Sequence, residues 1–264
     1  MVSCLEHPPT PRGPQKSPWF NDDQWSGVET DAWVAWISNR DRRAALWAHT
    51  EESAREALSV VIPGVLRRER VLDAHGAVVA PDPARPDDAV FITGLSGAGK
   101  STLALTSVLG GARFVADDSA AIGLTGSALV SWPRRSLMSL DPAMASRLLP
   151  ERARASFGDK DFIDARDFFP GQFASSLTVR DLAFLERGSG QASQWGRISP
   201  SLAYRQLLMG HPILAVDRGA RHCFEVVRRL ADVPAYRLAG GTDLLEPETA
   251  CATLTALLSG RGSI

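Results

Sequence analysis

The sequence predicts an α/β fold in which a mixed sheet is flanked by helices, with a small β-rich layer ahead of it. Three observations carry this. An apolar run, "DAVFIT" (88–93), leads into a glycine-rich loop, an apolar helix and a second short strand that ends on "ADD" (116–118). Two apolar runs near the N-terminus, "AWVAWIS" (32–38) and "RRAALWAH" (42–49), flank the polar stretch "NRDR". A last strand, "PAYRLAG" (234–240), precedes "EPETACATLTALLSG" (246–260), whose apolar residues recur at helical spacing. Strands alternating with helices belong to sheet-based α/β architectures. At 264 residues the chain can form one large domain or one domain with a small N-terminal module.

Taken in order, residues 1–28 carry Pro8, Pro9, Pro11, Pro14 and Pro18 among polar residues and read as a disordered or loosely attached arm. Residues 29–64 read as a small α+β segment packed on the core. The two apolar runs form a hairpin there, and Trp33, Trp36 and Trp47 make a stripe in the core of that layer. A helix follows over "TEESAREALSVVIPGVLRRERVLD" (50–73), capped by Thr50 and opened by acids, with Pro63-Gly64 interrupting it. Residues 65–264 form the main domain. "HGAVVAP" (75–81) and "DAVFITG" (88–94) are strands, "KSTLALTSVLGG" (100–111) is a helix stopped by glycine, and "ARFVADD" (112–118) returns as a strand, making a βαβ unit. "SLTVRDLAFLERG" (176–188) is a further strand and "SPSLAYRQLLMG" (199–210) a helix. There are no internal repeats.

Hydrophobic residues make up 44% and charged residues 22%, with a net charge of −1. That balance argues against nucleic acid or a membrane surface as partner, since either favours a basic excess. Cys4, Cys223 and Cys251 have no CxxC spacing and suit free thiols in a reducing compartment. No apolar run of signal-peptide or membrane-spanning character occurs, so the expectation is a cytoplasmic protein. Of 29 basic residues only Lys16, Lys100 and Lys160 are lysines.

One of those three falls in "GLSGAGKS" (94–101), which fits GxxxxGK[ST] between a strand and a helix. Gly94, Gly97 and Gly99 let the backbone curl so that N–H groups face one anion. The helix start adds its positive end. Lys100 reaches the outer phosphates of a nucleotide and the Ser101 hydroxyl reaches Mg²⁺. Asp117 and Asp118 then acquire a purpose: side by side they repel each other unless cations are present, and a Mg²⁺-triphosphate complex wants a carboxylate at a neighbouring strand end. Strand side chains alternate faces, so the two acids divide their work. Asp117 is expected to take the acceptor's proton and Asp118 to serve the metal, with the opposite division left open.

The stretch "GLSGAGKSTLALTSVLGGARFVADDSAAI" (94–122), with "AHGAVVA" (74–80) before it, closely resembles the core of the HPr kinase/phosphorylase family and its shorter kinase-like relatives. In that family the loop reads G-x-S-G-x-G-K-S, the next strand ends in V-A-D-D, and a His-Gly pair stands on the strand preceding the P-loop strand. The resemblance covers residues 65–122 well. It implies a P-loop kinase core of the HPr kinase and phosphoenolpyruvate carboxykinase type, ATP and Mg²⁺ as cofactors, and transfer of a phosphoryl group to a serine hydroxyl. One branch phosphorylates ribosomal precursor peptides. Carried over, Gly94, Ser96, Gly97, Ala98, Gly99, Lys100, Ser101 and Thr102 wrap the nucleotide phosphates. Asp117 and Asp118 supply base and metal contact, and His75 sits beside the reacting phosphate. The family's R-G-x-G-I signature, used in phosphorolysis and subunit contacts, is absent here, while "SWPRRSLMSLDP" (131–142) and "DKDFIDARDF" (159–168) resemble the shorter relatives.

Lys160 and Arg166 in that last stretch are candidates for a flexible segment closing over the terminal phosphate, and Arg134 and Arg135 for a similar role. His49, His211 and His222 read as structural. The expected activity is a kinase acting on a hydroxyl, best of all Ser or Thr of a peptide or small protein, with a small homo-oligomer as a further expectation. A small-molecule kinase with the same site and a non-catalytic nucleotide-binding regulatory module are the alternatives. No lysine follows Asn or Thr, which excludes the N-K-x-D of a GTPase. An ordinary ATPase would carry a later acid-ended apolar strand, and none stands out.

Overall fold

The computed structural model describes residues 2–4, 19–21, 25–38, 43–149, 155–157, 159–210 and 220–260. Most of the expected N-terminal arm, the hairpin turn at 39–42, Lys16 and His211 lie outside them. The chain divides into two compact units, residues 1–72 with 213–224, and 73–212 with 225–264.

Among the described residues the first unit holds a five-stranded sheet, the helix that follows it and the first residues of a later helix, 220–224. Its strands are β1 (Val2–Cys4), β2 (Trp19–Asn21), β3 (Trp25–Glu29), β4 (Trp33–Ser38) and β5 (Ala44–Ala48), in the order β1-β5-β4-β3-β2. β1, β2 and all of β3 but Glu29 fall within the first 28 residues. The expected hairpin pairs Trp33 with Ala48 and Ile37 with Ala44. Helix α1 (Glu51–Arg68) begins at Thr50, whose side chain accepts the Ser53 N–H at 3.1 Å.

Two expectations change here. Alternation sends Trp33, Ala35 and Ile37 to the face that packs with Ala57 and Val61 of α1, and Val34 and Trp36 to the opposite face with Ala45 and Trp47. The tryptophans therefore belong to two clusters and form no single stripe. Pro63 also fails to interrupt α1, which runs on to Arg68. A proline forfeits one backbone hydrogen bond, yet the next turn is held by close packing: a Cβ on Gly64 would lie 2.2 Å from Ile37 Cδ1.

The second unit is built on a nine-stranded sheet. From the boundary at residue 72 onward the elements are β6 (Val71–Ala74), which straddles it, β7 (Ala77–Ala80), β8 (Asp88–Thr93), α2 (Lys100–Leu109), β9 (Arg113–Ala116), β10 (Ala120–Thr125) and β11 (Ala128–Pro133). Next come β12 (Leu137–Leu140), α3 (Pro142–Leu148), β13 (Ala155–Phe157), β14 (Lys160–Asp164), α4 (Ala165–Phe168) and β15 (Leu177–Arg187). The chain ends with β16 (Gln194–Ile198), α5 (Pro200–Gly210), α6 (Ala220–Asp232), β17 (Ala235–Gly240) and α7 (Pro247–Leu258). The strand order is β6-β10-β11-β15-β8-β7-β9, with β17 pairing β15 and β16 pairing β17. β8 is parallel to β15, and β15 to β17, whereas β7 runs antiparallel to both β8 and β9. The sheet is mixed and flanked by helices.

The strand–helix–strand unit is therefore not a pair of adjacent parallel strands. β7 lies between β8 and β9, and α2 carries the chain across it. Because β7 is antiparallel to both, its N-terminal end meets the C-terminal ends of β8 and β9: Ala77 faces Ile92, and Val78 faces Ala116. One sheet edge thus gathers the residues before β7, after β8 and after β9.

One apolar cluster holds this edge rigid. Val79, Val90 and Ile92 of the sheet pack with Leu105 and Val108 of α2, Leu254 and Leu257 of α7, and Met138, Leu140 and Ile163. The last three come from a three-stranded sheet, β12-β14-β13. The stretch 159–168, expected as a flexible segment, is thus regular structure: Asp161 is buried and bonded by Ser156, and Asp164 caps α4 while accepting from Ser136. Among the described residues no helix is long and apolar enough to cross a membrane.

Candidate functional site

The loop between β8 and α2 takes its course from glycines. Gly94, Gly97 and Gly99 have φ of 152°, 77° and 99°, values that L side chains resist. Gly94 has a second constraint, since a Cβ there would lie 2.3 Å from the Leu185 carbonyl oxygen. Leu95, Ser96 and Gly97 are exposed, and Ala98 folds back to donate its N–H to the Leu95 carbonyl. Gly99 begins α2 with no side-chain cap, and no acid occupies the first turn. The first-turn N–H groups of Lys100, Ser101 and Thr102, at the positive end of the helix, therefore have no capping side chain to accept them.

Lys100 is buried, and its ammonium donates to the carbonyls of Gly94 and Leu95 at 3.0 Å each. Burial lowers its pKa, while Asp118 and Asp117 push it back up. The lysine and the acid pair share one electrostatic environment.

Asp117 and Asp118 lie just beyond the end of β9, in a turn closed by the Ser119 N–H on the Asp117 carbonyl at 2.7 Å. Their environments differ sharply. Asp117 is wholly buried, and its Oδ2 accepts the backbone N–H of Ser139 at 3.0 Å. Burial raises its pKa to about 6, against the Ser139 N–H and the Ser101 hydroxyl, which favour the charged form. Asp118 adds to that rise and Arg135 opposes it. Asp117 Oδ1 is buried and has no hydrogen-bond partner among the described residues.

Asp118 adopts φ 63°, and its side chain is 44% exposed. The backbone reversal between them turns one acid inward and the other to the surface, where a straight strand would only alternate faces. The carbonyl of Asp118 accepts from Gly76 N–H at 3.3 Å and from His75 Nδ1 at 2.8 Å. A carbonyl only accepts, so His75 carries its proton on Nδ1 and presents Nε2 as the free ring nitrogen of its neutral form. His75 stands in the bend between β6 and β7 rather than on a strand. The Thr93 hydroxyl holds its carbonyl at 3.0 Å. Gly76 is needed beside it, because a Cβ would lie 2.4 Å from the Ile92 carbonyl oxygen.

The segment that links β11 to β12 closes the site. Arg135 Nη2 donates to Asp118 Oδ2 at 2.7 Å. Arg134 Nη1 donates to Asp73 Oδ2 at 2.7 Å and to Ser119 Oγ at 2.6 Å, and Ser119 Oγ also bonds Asp73 Oδ1. Arg134 therefore secures the turn after the acid pair. Asp73, Ser119 and Ser139 were not legible as site residues: an isolated Asp or Ser carries no motif, and only the fold brings them together.

The structure thus unites His75, residues 94–102, Asp117, Asp118 and Arg134 at one sheet edge. Lys160 and Arg166 behave differently. Lys160 is exposed on β14, and Arg166 lies over the Phe173 ring at 5.2 Å. Among the described residues neither bonds to the glycine loop or the acid pair. No set of three His, Cys, Asp or Glu side chains clusters as a metal site among the described residues. Mg²⁺ bound with a triphosphate needs no such set, since it keeps waters and takes one or two carboxylates. The unpartnered, buried Oδ1 of Asp117 near Ser101 fits that requirement.

No protein family and no curated protein matches the sequence. Among solved structures, the HPr(Ser) kinase/phosphatase from Coxiella burnetii matches with a TM-score of 0.42 and 13% identity, covering 72% of this chain and 99% of that one.

Proposed function

We propose that this protein is an ATP- and Mg²⁺-dependent kinase that transfers a phosphoryl group to a hydroxyl, with Ser or Thr of a peptide or small protein as acceptor class. The observation that carries the reading is convergence. A glycine loop of left-handed turns, a buried lysine, two dissimilar carboxylates and a histidine of defined tautomer meet at one sheet edge. Structural packing alone would not gather two adjacent acids and a desolvated lysine.

Residues 94–102 would hold the phosphates through backbone N–H groups, with Lys100 offsetting their charge. Ser101 and Asp117 would hold Mg²⁺, which supplies charge neutralisation on the phosphates when bound. Burial beside Ser101 favours Asp117 for this task. Exposure favours Asp118 for orienting the acceptor hydroxyl and taking its proton late in a loose phosphoryl transfer. This is the reverse of the division expected from sequence. His75 Nε2, on the exposed side, would hydrogen-bond the acceptor or the transferred group.

The test is phosphoryl transfer from γ-labelled ATP to Ser-containing peptides and, as a basal reaction, to water. Lys100→Ala should slow both by roughly 10²–10⁴. Asp118→Asn should slow transfer by roughly 10²–10³, leaving a measurable residual rate, while Mg·ATP still binds in calorimetry. Asp117→Asn should raise the Mg²⁺ requirement and regain part of its rate at high Mg²⁺. Wild-type turnover in Lys100→Ala would end the kinase reading, and exchanged phenotypes for the two Asn variants would restore the first division of roles.

A further inference from the structure

We infer that Arg135 is a positioning residue of this site, orienting the Asp118 carboxylate and acting on the reaction through it rather than through the phosphates; the inference rests on the kinase reading above. Two neighbouring carboxylates repel each other, and their shared turn needs a cation. The cations nearby are not equivalent. Lys100 spends two of its donors on the Gly94 and Leu95 carbonyls. Arg134 is engaged by Asp73 and Ser119. Arg135 is the one whose hydrogen bond lands on the acid pair, at 2.7 Å from Asp118 Oδ2.

The backbone of Asp118 is already pinned, its carbonyl accepting from His75 and Gly76. Its carboxylate is not: the His75 Nδ1 contact to Oδ1 is 3.4 Å, too long to orient it. The rotamer of Asp118 is therefore set by Arg135. The Arg135 Nε is buried and has no partner among the described residues. An unpaired buried donor costs about 1–3 kcal/mol, a penalty that folding alone gives no reason to keep. The segment carrying Arg135 also supplies the Ser139 N–H to Asp117, so one stretch grips both acids, one by backbone and one by guanidinium. A carboxylate displaced by 1 Å from its hydroxyl loses on the order of 10²-fold in rate.

The probe is Mg·ATP with water as acceptor, using the full chain and the variants R135Q, R135K, D118N and R135Q/D118N. R135Q should lower kcat by roughly 30–100-fold and leave KM for Mg·ATP within about threefold. R135K keeps the charge and should recover to within about fivefold of wild type. In the D118N background R135Q should cost less than about twofold more, because the two act as a unit. Calorimetric Mg·ATP affinity unchanged in R135Q separates this from direct phosphate binding, and should R135Q fold poorly R135K and R135K/D118N test the same coupling, the small loss in R135K disappearing in the D118N background. The inference is overturned by a wild-type rate in R135Q, by a full additional loss in the D118N background, or by a loss confined to Mg·ATP affinity. A wild-type protein that neither binds nor hydrolyses Mg·ATP overturns the kinase reading itself, and this inference with it.

Discussion

Gly94 and Gly97 share a motif but not a constraint. At Gly94 a Cβ would meet the Leu185 carbonyl oxygen at 2.3 Å, while at Gly97 nothing lies within 4 Å. Backbone against backbone cannot be relieved by a rotamer change. Gly94→Ala should therefore destabilise the protein by about 2–4 kcal/mol, and Gly97→Ala by about 1 kcal/mol from its left-handed φ alone. Thermal unfolding of the two variants checks this, and equal shifts would refute it. The motif itself was legible, because glycine spacing and a following lysine are local. The partners of the acid pair were not, since Arg135 is bonded to Asp118 from a strand connection whose path depends on the whole sheet.

Helix α1 shows how packing overrides a local stop signal. Pro63 removes one backbone N–H inside the helix, yet Val61 and Gly64 on the same turns are buried. Restoring the missing hydrogen bond by Pro63→Ala should raise stability by about 1–2 kcal/mol. That is less than the ~3 kcal/mol propensity difference, because alanine also frees the unfolded chain. A lowered Tm for Pro63→Ala would show that the helix uses the bend proline provides. The stretch 159–168 is the opposite case. Its alternating charges read as a flexible segment, but β14 alternates Asp161 and Ile163 inward, a pattern that acquires meaning only when β12 pairs beside it.

On the scale of the molecule, charge burial links stability to pH away from the candidate site. Asp181 lies on β15 at a register shift, is 4% exposed, and has its pKa raised by burial to about 6, against the pull of Arg85. The unfolded chain releases this proton near 3.8. Between those values the folded protein holds a proton that the unfolded chain has lost, so this group's contribution to stability falls as pH rises from about 4 to 6. Asp181→Asn stays neutral throughout. It should match the wild type near pH 4 and exceed it by about 1–2 kcal/mol, roughly 3–6 °C in Tm, at pH 7.5. A Tm difference that does not change with pH would refute the assignment.

The sequence by itself determined the glycine loop, the helix after it, the acid-ended strand and the α/β class. Each rests on spacing within about 30 residues, where periodicity and turn chemistry act directly. The tertiary structure decided that β7 lies between β8 and β9, which a strand–helix–strand pattern leaves unspecified. That antiparallel insertion delivers His75 to the edge where β8 and β9 end. The structure also decided which acid is buried and which exposed, because a left-handed residue at Asp118 and a hydrogen bond from Ser139 break the simple alternation of a strand. Sheet order and burial depend on contacts between segments far apart in the chain, and no local pattern records them.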